Sequence, residues 1–304
     1  AHTTIDTLLR NLQKSLPGED PEFLHACACA HNVAGYVKAI VCKTAEVGRV
    51  SQHFQDMARI ACIIDDQTLL NIALSQYAEL LRRQNKIQQC IMYLEKVRID
   101  TPHAHALAQS NNARLLARAY LHNKDFSGFE RQMQCAEELA QSVGEIALQH
   151  PQTLQYPQTD RRESSNFILL PALPIMNNDT RTVRKRSSDL ALGMVYEEYG
   201  RGYGRAGKLE KSLHYLELAA THLPAHNLWD MLLKAARAEA LIYSGAITEG
   251  MQFAVEVAHL AQMYGHQWLL ERLYHLQCYL DDQALLMSRA SRSLNDVLHG
   301  QADA

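Results

Sequence analysis

The sequence predicts an all-α protein built as one solenoid of repeated helix pairs, and three observations lead to this prediction. Apolar residues make up 47% of the 304 residues and charged residues 21%, and the good helix formers Ala, Leu, Gln, Glu and Arg dominate the composition. Apolar side chains recur at helical spacing, and no segment alternates as a strand does. Matching segments recur 39 residues apart (71 to 110) and 38 apart (193 to 231), as in repeat proteins.

The most complete repeat unit runs from residue 193 to 224. Its first helix places Gly200 among tyrosines, a turn follows at Gly207, and Pro224 ends the second helix. Small residues let two helices approach closely while large ones fill the adjacent gaps. Three further units begin near Asn71, Ser110 and Met231, and a weaker one covers residues 32–65.

Helix boundaries follow from Asp, Asn, Ser, Pro and Gly residues, which start and stop helices. We expect about five helix pairs, with the first and last helices covering the ends of the array. The predicted helices are 3–15, 21–43, 47–64, 67–84, 87–99, 103–122, 126–142, 186–206, 208–222, 226–244, 247–263, 266–280 and 282–298.

One long irregular insertion interrupts the repeats at 144–186, between an N-terminal block at 1–143 and a C-terminal block at 187–304. Its prolines, Pro151, Pro157, Pro171 and Pro174, exclude a continuous helix. It also holds an apolar run, which argues against full disorder. Two interpretations stay open: a structural filler of the core, or a lid that contacts a ligand.

Charge and cysteine content narrow the function classes. The formal net charge is −3, so we expect no direct contact with nucleic acid and no membrane association. The seven cysteines are an odd and scattered set, which indicates free thiols in a reducing cytoplasm. The chain begins with Ala1 rather than Met, which is compatible with a further domain upstream of residue 1.

Two segments resemble catalytic or metal motifs, and both are better explained by structure. Gly202 to Lys208 has phosphate-loop spacing, but Leu209 stands where Ser or Thr should bind magnesium, and no strand precedes it. The cysteines and histidines of 25–31 would lie on different faces of a helix and could not share one ion. We therefore predict no enzyme, no metal and no cofactor.

The units at 71–102 and 193–224 resemble tetratricopeptide repeats. The long repeats and the stretch 269–283 further resemble the sensor halves of bacterial helix-turn-helix transcriptional regulators. This resemblance implies a right-handed solenoid whose first helix in each pair lines a concave groove that binds a ligand.

The groove positions of such arrays correspond here to eight residues of the predicted site. They are Arg82, Asn111, Arg114, Arg118, His122, Glu197, Arg201 and Arg205. Arginine and asparagine in a groove suit a carboxylate or a peptide backbone, because arginine offers a planar fork of donors. A solvated face of salt bridges is the alternative, and surface pairing of Glu197 and Glu198 with Arg201 fits it.

Two functions follow as hypotheses. In the first, the chain is the regulatory sensor part of a bacterial transcriptional regulator, and it binds a peptide or small molecule in its groove. In the second, it is a scaffold or adaptor that assembles a protein complex. Self-association into a homodimer is compatible with both.

Overall fold

A computed structural model describes residues 20–42, 47–149, 180–282 and 289–299, and these residues form α-helices with no strand among them. The all-α class is therefore confirmed for this part of the chain. It contains twelve helices, numbered here from α1 to α12: Pro21–Val41, Val47–Ile63, Gln67–Arg83, Ile87–Asp100, Ala106–His122, Phe126–Gln149, Thr180–Arg205, Leu209–His222, Asn227–Tyr243, Ile247–Tyr264, Gln267–Asp282 and Arg289–Leu298.

Most predicted helix boundaries agree with the structure to within three residues. α6 continues to Gln149 and α7 begins at Thr180, so helices occupy both ends of the predicted irregular segment at 144–186. Its remainder, 150–179, lies outside the described residues, as does the predicted helix at 3–15. α5 begins at Ala106 because the imidazole of His105 accepts a hydrogen bond from Leu107 N and caps the helix there.

The chain divides into two compact units. Unit 1 consists of Ala1–Ala39 and Thr44–Ala191, and unit 2 consists of Ile40–Lys43 and Leu192–Ala304. The division lies inside α7.

The turns after α3, α5, α7 and α9 share one backbone conformation. Their central residues, Asn85, Lys124, Gly207 and Gly245, have φ of 61°, 62°, 71° and 93°. In each turn the N–H of the residue after the central one donates to the carbonyl of the residue five positions before it, at 2.9 Å. This is the six-to-one hydrogen bond of a Schellman motif. The central residues lie 39 residues apart in unit 1 and 38 apart in unit 2. Four helix hairpins therefore repeat the same turn in the same register.

Each hairpin also places a small buried residue seven positions before its turn centre: Ala78, Ala117, Gly200 or Ala238. At Gly200 the fit is closest, since an added β-carbon would lie 2.6 Å from Leu216 Cδ2 of the opposing helix. The hydroxyl of Ser212 donates to Gly200 O at 2.6 Å across the same crossing. The predicted close approach of two helices at Gly200 is thus confirmed.

Packing within each unit joins helices that are near in sequence. In unit 1, consecutive helices from α2 to α6 are in contact, and α3 also contacts α5. In unit 2, α8 to α11 pack consecutively, and α12 packs on both α10 and α11. Equivalent helices of successive hairpins, such as α3 and α5, therefore meet directly. No helix of the described ranges is long and apolar enough to cross a membrane.

Candidate ligand-binding site

The five predicted site residues of unit 1 lie together on two neighbouring helices. Arg82 belongs to α3, and α5 carries Asn111, Arg114, Arg118 and His122. Spacings of three and four residues bring side chains to one face of a helix. We call Glu79, Arg82, Arg114, Arg118 and His122 the arginine cluster.

Glu79 stands at the centre of the arginine cluster. Arg82 Nη2 donates to Glu79 Oε1 at 2.7 Å and Arg82 Nε donates to Oε2 at 2.8 Å, which is a bidentate fork. Arg118 Nη1 reaches Glu79 Oε1 from the next helix at 3.1 Å. The side chains are 15%, 15% and 14% exposed for Glu79, Arg82 and Arg118. They are thus largely removed from bulk water, which strengthens their interaction.

His122 extends the cluster and has a defined tautomer. Its Nε2 lies 3.1 Å from Arg82 Nη1, and a guanidinium can only donate. His122 Nε2 must therefore be an unprotonated acceptor, with the ring proton on Nδ1.

Arg114 and Tyr36 complete this region of unit 1. Arg114 is buried, and its Nη2 donates to Asn111 Oδ1 at 2.8 Å. Burial raises the pKa of the Tyr36 hydroxyl, while the positive charges of Arg114 and Arg118 act in the opposite direction. Tyr36 of α1 therefore shares an environment with these arginines. The arginine cluster as a whole brings three arginines and one glutamate onto α3 and α5.

The three predicted residues of unit 2 belong to a different arrangement, which we call the buried ion network. It comprises Glu197, Glu198, Arg201 and Arg205 of α7, Glu239 of α9 and Arg272 of α11. Arg272 Nε donates to Glu239 Oε1 at 2.7 Å, and Arg272 Nη1 lies 3.4 Å from Glu197 Oε1. Arg201 Nη1 donates to Glu198 Oε1 at 3.3 Å, and Arg201 Nε lies 3.6 Å from Glu239 Oε2.

Burial and charge balance distinguish the buried ion network from the arginine cluster. Arg201 pairs with Glu197 at 3.8 Å and with Glu198 at 3.3 Å, as predicted from sequence. The predicted surface location is wrong, because Glu198 and Glu239 are 0% and 2% exposed. Three carboxylates accompany three guanidiniums, so this set has no excess charge to attract an ion.

The pKa shifts agree with this description. Burial alone would raise the pKa of Glu239, but the charges of Arg272, Arg201 and Arg205 outweigh it and lower the pKa to about 2. Burial lowers the pKa of Arg205, and Glu239 partly compensates. The network holds its charged groups by mutual pairing, as buried ions require.

Glu239, Arg272 and Tyr36 were not among the residues predicted from sequence. The sequence could have identified Glu239, because it lies 38 residues after Arg201, which is the repeat spacing in unit 2. In unit 1, Arg118 likewise lies one repeat of 39 residues after Glu79. Opposite charges at one repeat position in successive hairpins place a carboxylate against a guanidinium. No comparable spacing identifies Arg272 or Tyr36.

The two motif-like segments have structural roles. Gly202 lies inside α7, and Gly207 is the left-handed centre of the turn that follows. Residues 25–31 lie within α1, and no group of three potential metal ligands is assembled in the described part of the chain. All seven cysteines are free, and burial raises the pKa of Cys90 to about 12, so its thiol is not a ready nucleophile.

Comparison of the chain with models of known protein families finds no match. A search among curated proteins also finds no match.

Proposed function

We propose that the chain is a binding module, a tetratricopeptide-like right-handed solenoid of about five helix pairs, and that its arginine cluster binds an anionic group of a peptide or small molecule. The four hairpins with one turn conformation, and the small residues at their crossings, support the repeat assignment. The arginine cluster carries the functional proposal. Two guanidiniums from neighbouring helices, those of Arg82 and Arg118, contact the Glu79 carboxylate there, mostly out of water, and the buried Arg114 precedes Arg118 by one turn of α5.

The chemistry of this cluster suits a carboxylate. A guanidinium presents two parallel N–H groups to two oxygens, and such charge-assisted hydrogen bonds are stronger than neutral ones. Partial burial lowers the effective dielectric constant, which strengthens the attraction between a guanidinium and an anion.

We further propose that this binding serves regulation: the chain is the sensor part of a bacterial transcriptional regulator that acts in the cytoplasm. The resemblance to such sensors supports this role, and the free thiols are compatible with a reducing compartment. Ligand binding would then change the packing of successive hairpins or favour a homodimer. The proposal requires no catalysis, no cofactor and no direct contact with nucleic acid.

Calorimetric titration with peptides tests the carboxylate proposal. The probe is a random hexapeptide mixture with free C-terminal carboxylates, and the same mixture with C-terminal amides is the comparison. Titration with succinate covers a free small-molecule anion. We expect binding of the free-acid peptides, of succinate, or of both, and no binding of the amides.

Two matched variants locate the site. Arg118→Gln removes a cluster guanidinium and should weaken binding at least tenfold, because charge-assisted bonds are lost. Arg98→Gln removes an equal charge from the exposed side of α4 and should leave binding unchanged. Absence of heat with every probe, or equal binding by both variants, would reject the proposed site.

A scaffold is the second candidate function, and one surface favours it. Met92 and Ile99 of α4 are 68% and 73% exposed, and their seven-residue spacing places them on the same side of the helix. Exposed apolar side chains in one patch are typical of protein interfaces. Light scattering after gel filtration tests this candidate. A wild-type assembly that Met92→Ser with Ile99→Ser dissociates would support it, and a lone wild-type monomer that captures no partner would contradict it.

A further inference from the structure

We infer that Glu79 is an internal competitor in the arginine cluster, the carboxylate that a ligand anion must displace or outweigh before it can bind there. This inference rests on the proposed function of the cluster. It identifies Glu79 as the residue that sets the affinity and selectivity of the site.

The contacts of Glu79 are those that a ligand carboxylate would make. Its two oxygens accept the two parallel donors of Arg82 at 2.7 and 2.8 Å, the usual fork between a guanidinium and a carboxylate. One of these oxygens also accepts from Arg118 at 3.1 Å. Glu79 therefore contacts two guanidiniums, one on α3 and one on α5, through three hydrogen bonds.

Release of Glu79 requires side-chain rotation only. Glu79 and Arg82 lie one turn apart on α3, so their pairing does not hold two helices together. The bond from Arg118 does cross between helices, but α3 and α5 are also joined by buried contacts. Asn112 Nδ2, for example, donates to Ser75 Oγ at 2.9 Å. Glu79 can leave the arginines while the helix packing stays in place.

The competition has a consequence for selectivity. A ligand with one carboxylate gains little, since it replaces one set of carboxylate bonds with another. A ligand with two negative groups can replace Glu79 at Arg82 with one group and at Arg118 with the other. Glu79 thus excludes abundant monoanions and favours dianionic ligands or acidic peptides with a second contact.

Glu79→Gln tests this inference with succinate and acetate as probes. Loss of the internal charge should tighten succinate binding about tenfold, equivalent to about 1.4 kcal/mol, and it should make acetate binding measurable. Glu138→Gln is the matched control, because it makes the same charge change on an exposed residue of α6. It should bind both probes as the wild type does.

The outcomes separate this inference from the function on which it rests. Equal succinate affinity in wild type and Glu79→Gln, with binding lost in Arg118→Gln, would overturn the role of Glu79 and leave the binding site standing. Absence of succinate and acetate binding in every variant would overturn both. Succinate could also bind more tightly to Glu79→Gln and keep that affinity when Arg118→Gln is added to the same protein. This result would assign the anion to another site and overturn the inference.

Should Glu79→Gln fail to fold, as circular dichroism would reveal, Glu79→Asp decides the question. Its carboxylate is shorter by one methylene and reaches Arg118 less well, so succinate should bind two- to fivefold more tightly. Unchanged binding by a folded Glu79→Asp would then overturn the inference.

Discussion

Replacement of Glu239 by glutamine tests the buried ion network most directly. The Glu239 carboxylate is 2% exposed and accepts from Arg272 Nε at 2.7 Å, with Arg201 Nε at 3.6 Å. Glutamine has nearly the same shape but no charge. The variant therefore leaves three buried guanidiniums beside only two carboxylates, Glu197 and Glu198.

Two independent arguments give the size of the effect. Removal of one partner from a buried ion pair typically costs about 3–5 kcal/mol, because the other charge stays buried without compensation. The pKa of Glu239 falls from an ordinary 4.5 to about 2 in the folded protein. At 1.36 kcal/mol for each pKa unit, this shift corresponds to about 3 kcal/mol of stability at neutral pH.

The pH dependence follows from the direction of the shift. A depressed pKa means that the folded state binds fewer protons than the unfolded state, so stability rises with pH. The contribution of Glu239 is complete above about pH 4.5 and is lost as the pH falls toward about 2. Glutamine cannot titrate, so the difference between wild type and Glu239→Gln should shrink over this range.

Urea unfolding followed by tryptophan fluorescence provides the measurement. The chain contains two tryptophans, Trp229 and Trp268, and both belong to unit 2, so the signal reports on the unit that holds the network. We expect Glu239→Gln to lower the free energy of unfolding by about 3 kcal/mol at pH 7. Glu256→Gln, at an exposed residue of α10, is the control and should change it by less than about 0.5 kcal/mol.

Two results would refute this reasoning. A loss below about 1 kcal/mol at pH 7 would mean that the guanidiniums need no buried carboxylate at residue 239. If the free energy of unfolding of Glu239→Gln lies below that of the wild type by the same amount at pH 7 and near pH 2.5, the charge of Glu239 is not what stabilises the unit.

Three further predictions concern the repeat framework. Gly200→Ala should destabilise unit 2 by about 1–3 kcal/mol, because its β-carbon would lie 2.6 Å from Leu216 Cδ2. Gly48→Ala, in the first turn of α2 with no atom within 4 Å, should be neutral or stabilising in thermal melts. Lys124→Gly should stabilise unit 1 by up to about 1 kcal/mol in urea unfolding followed by circular dichroism, because its φ of 62° strains a residue with a side chain, and a loss would contradict this. Asp66→Ala should cost about 1 kcal/mol in the same assay, because the side chain caps α3 through a backbone N–H at 2.9 Å; no change would contradict the cap.

Much of the helical framework could be predicted from sequence, because its causes are local. Apolar periodicity reports which face of a helix is buried, and Gly207 and Gly245 occupy turn centres where glycine adopts positive φ without strain. Lys124 has the same conformation without that signal, and only its place in the repeat reveals it. The beginning of α7 at Thr180 was not predicted, since residues 181–186, most of which are Arg or Lys, carry no apolar periodicity.

The sequence by itself determined the helical class, the repeat spacing of 38 or 39 residues and the residues at equivalent repeat positions. Only the tertiary structure decided how their charges combine. Arg118 and Arg201 hold equivalent positions, yet Arg118 shares the Glu79 carboxylate with Arg82, whereas Arg201 lies in a balanced network with Glu239 and Arg272. The physical reason is distance: ion pairs between helices require packing accurate to a fraction of an ångström and depend on how fully neighbouring helices exclude water. The spacing of residues along the chain gives neither the distances between charges on different helices nor the degree to which water is excluded.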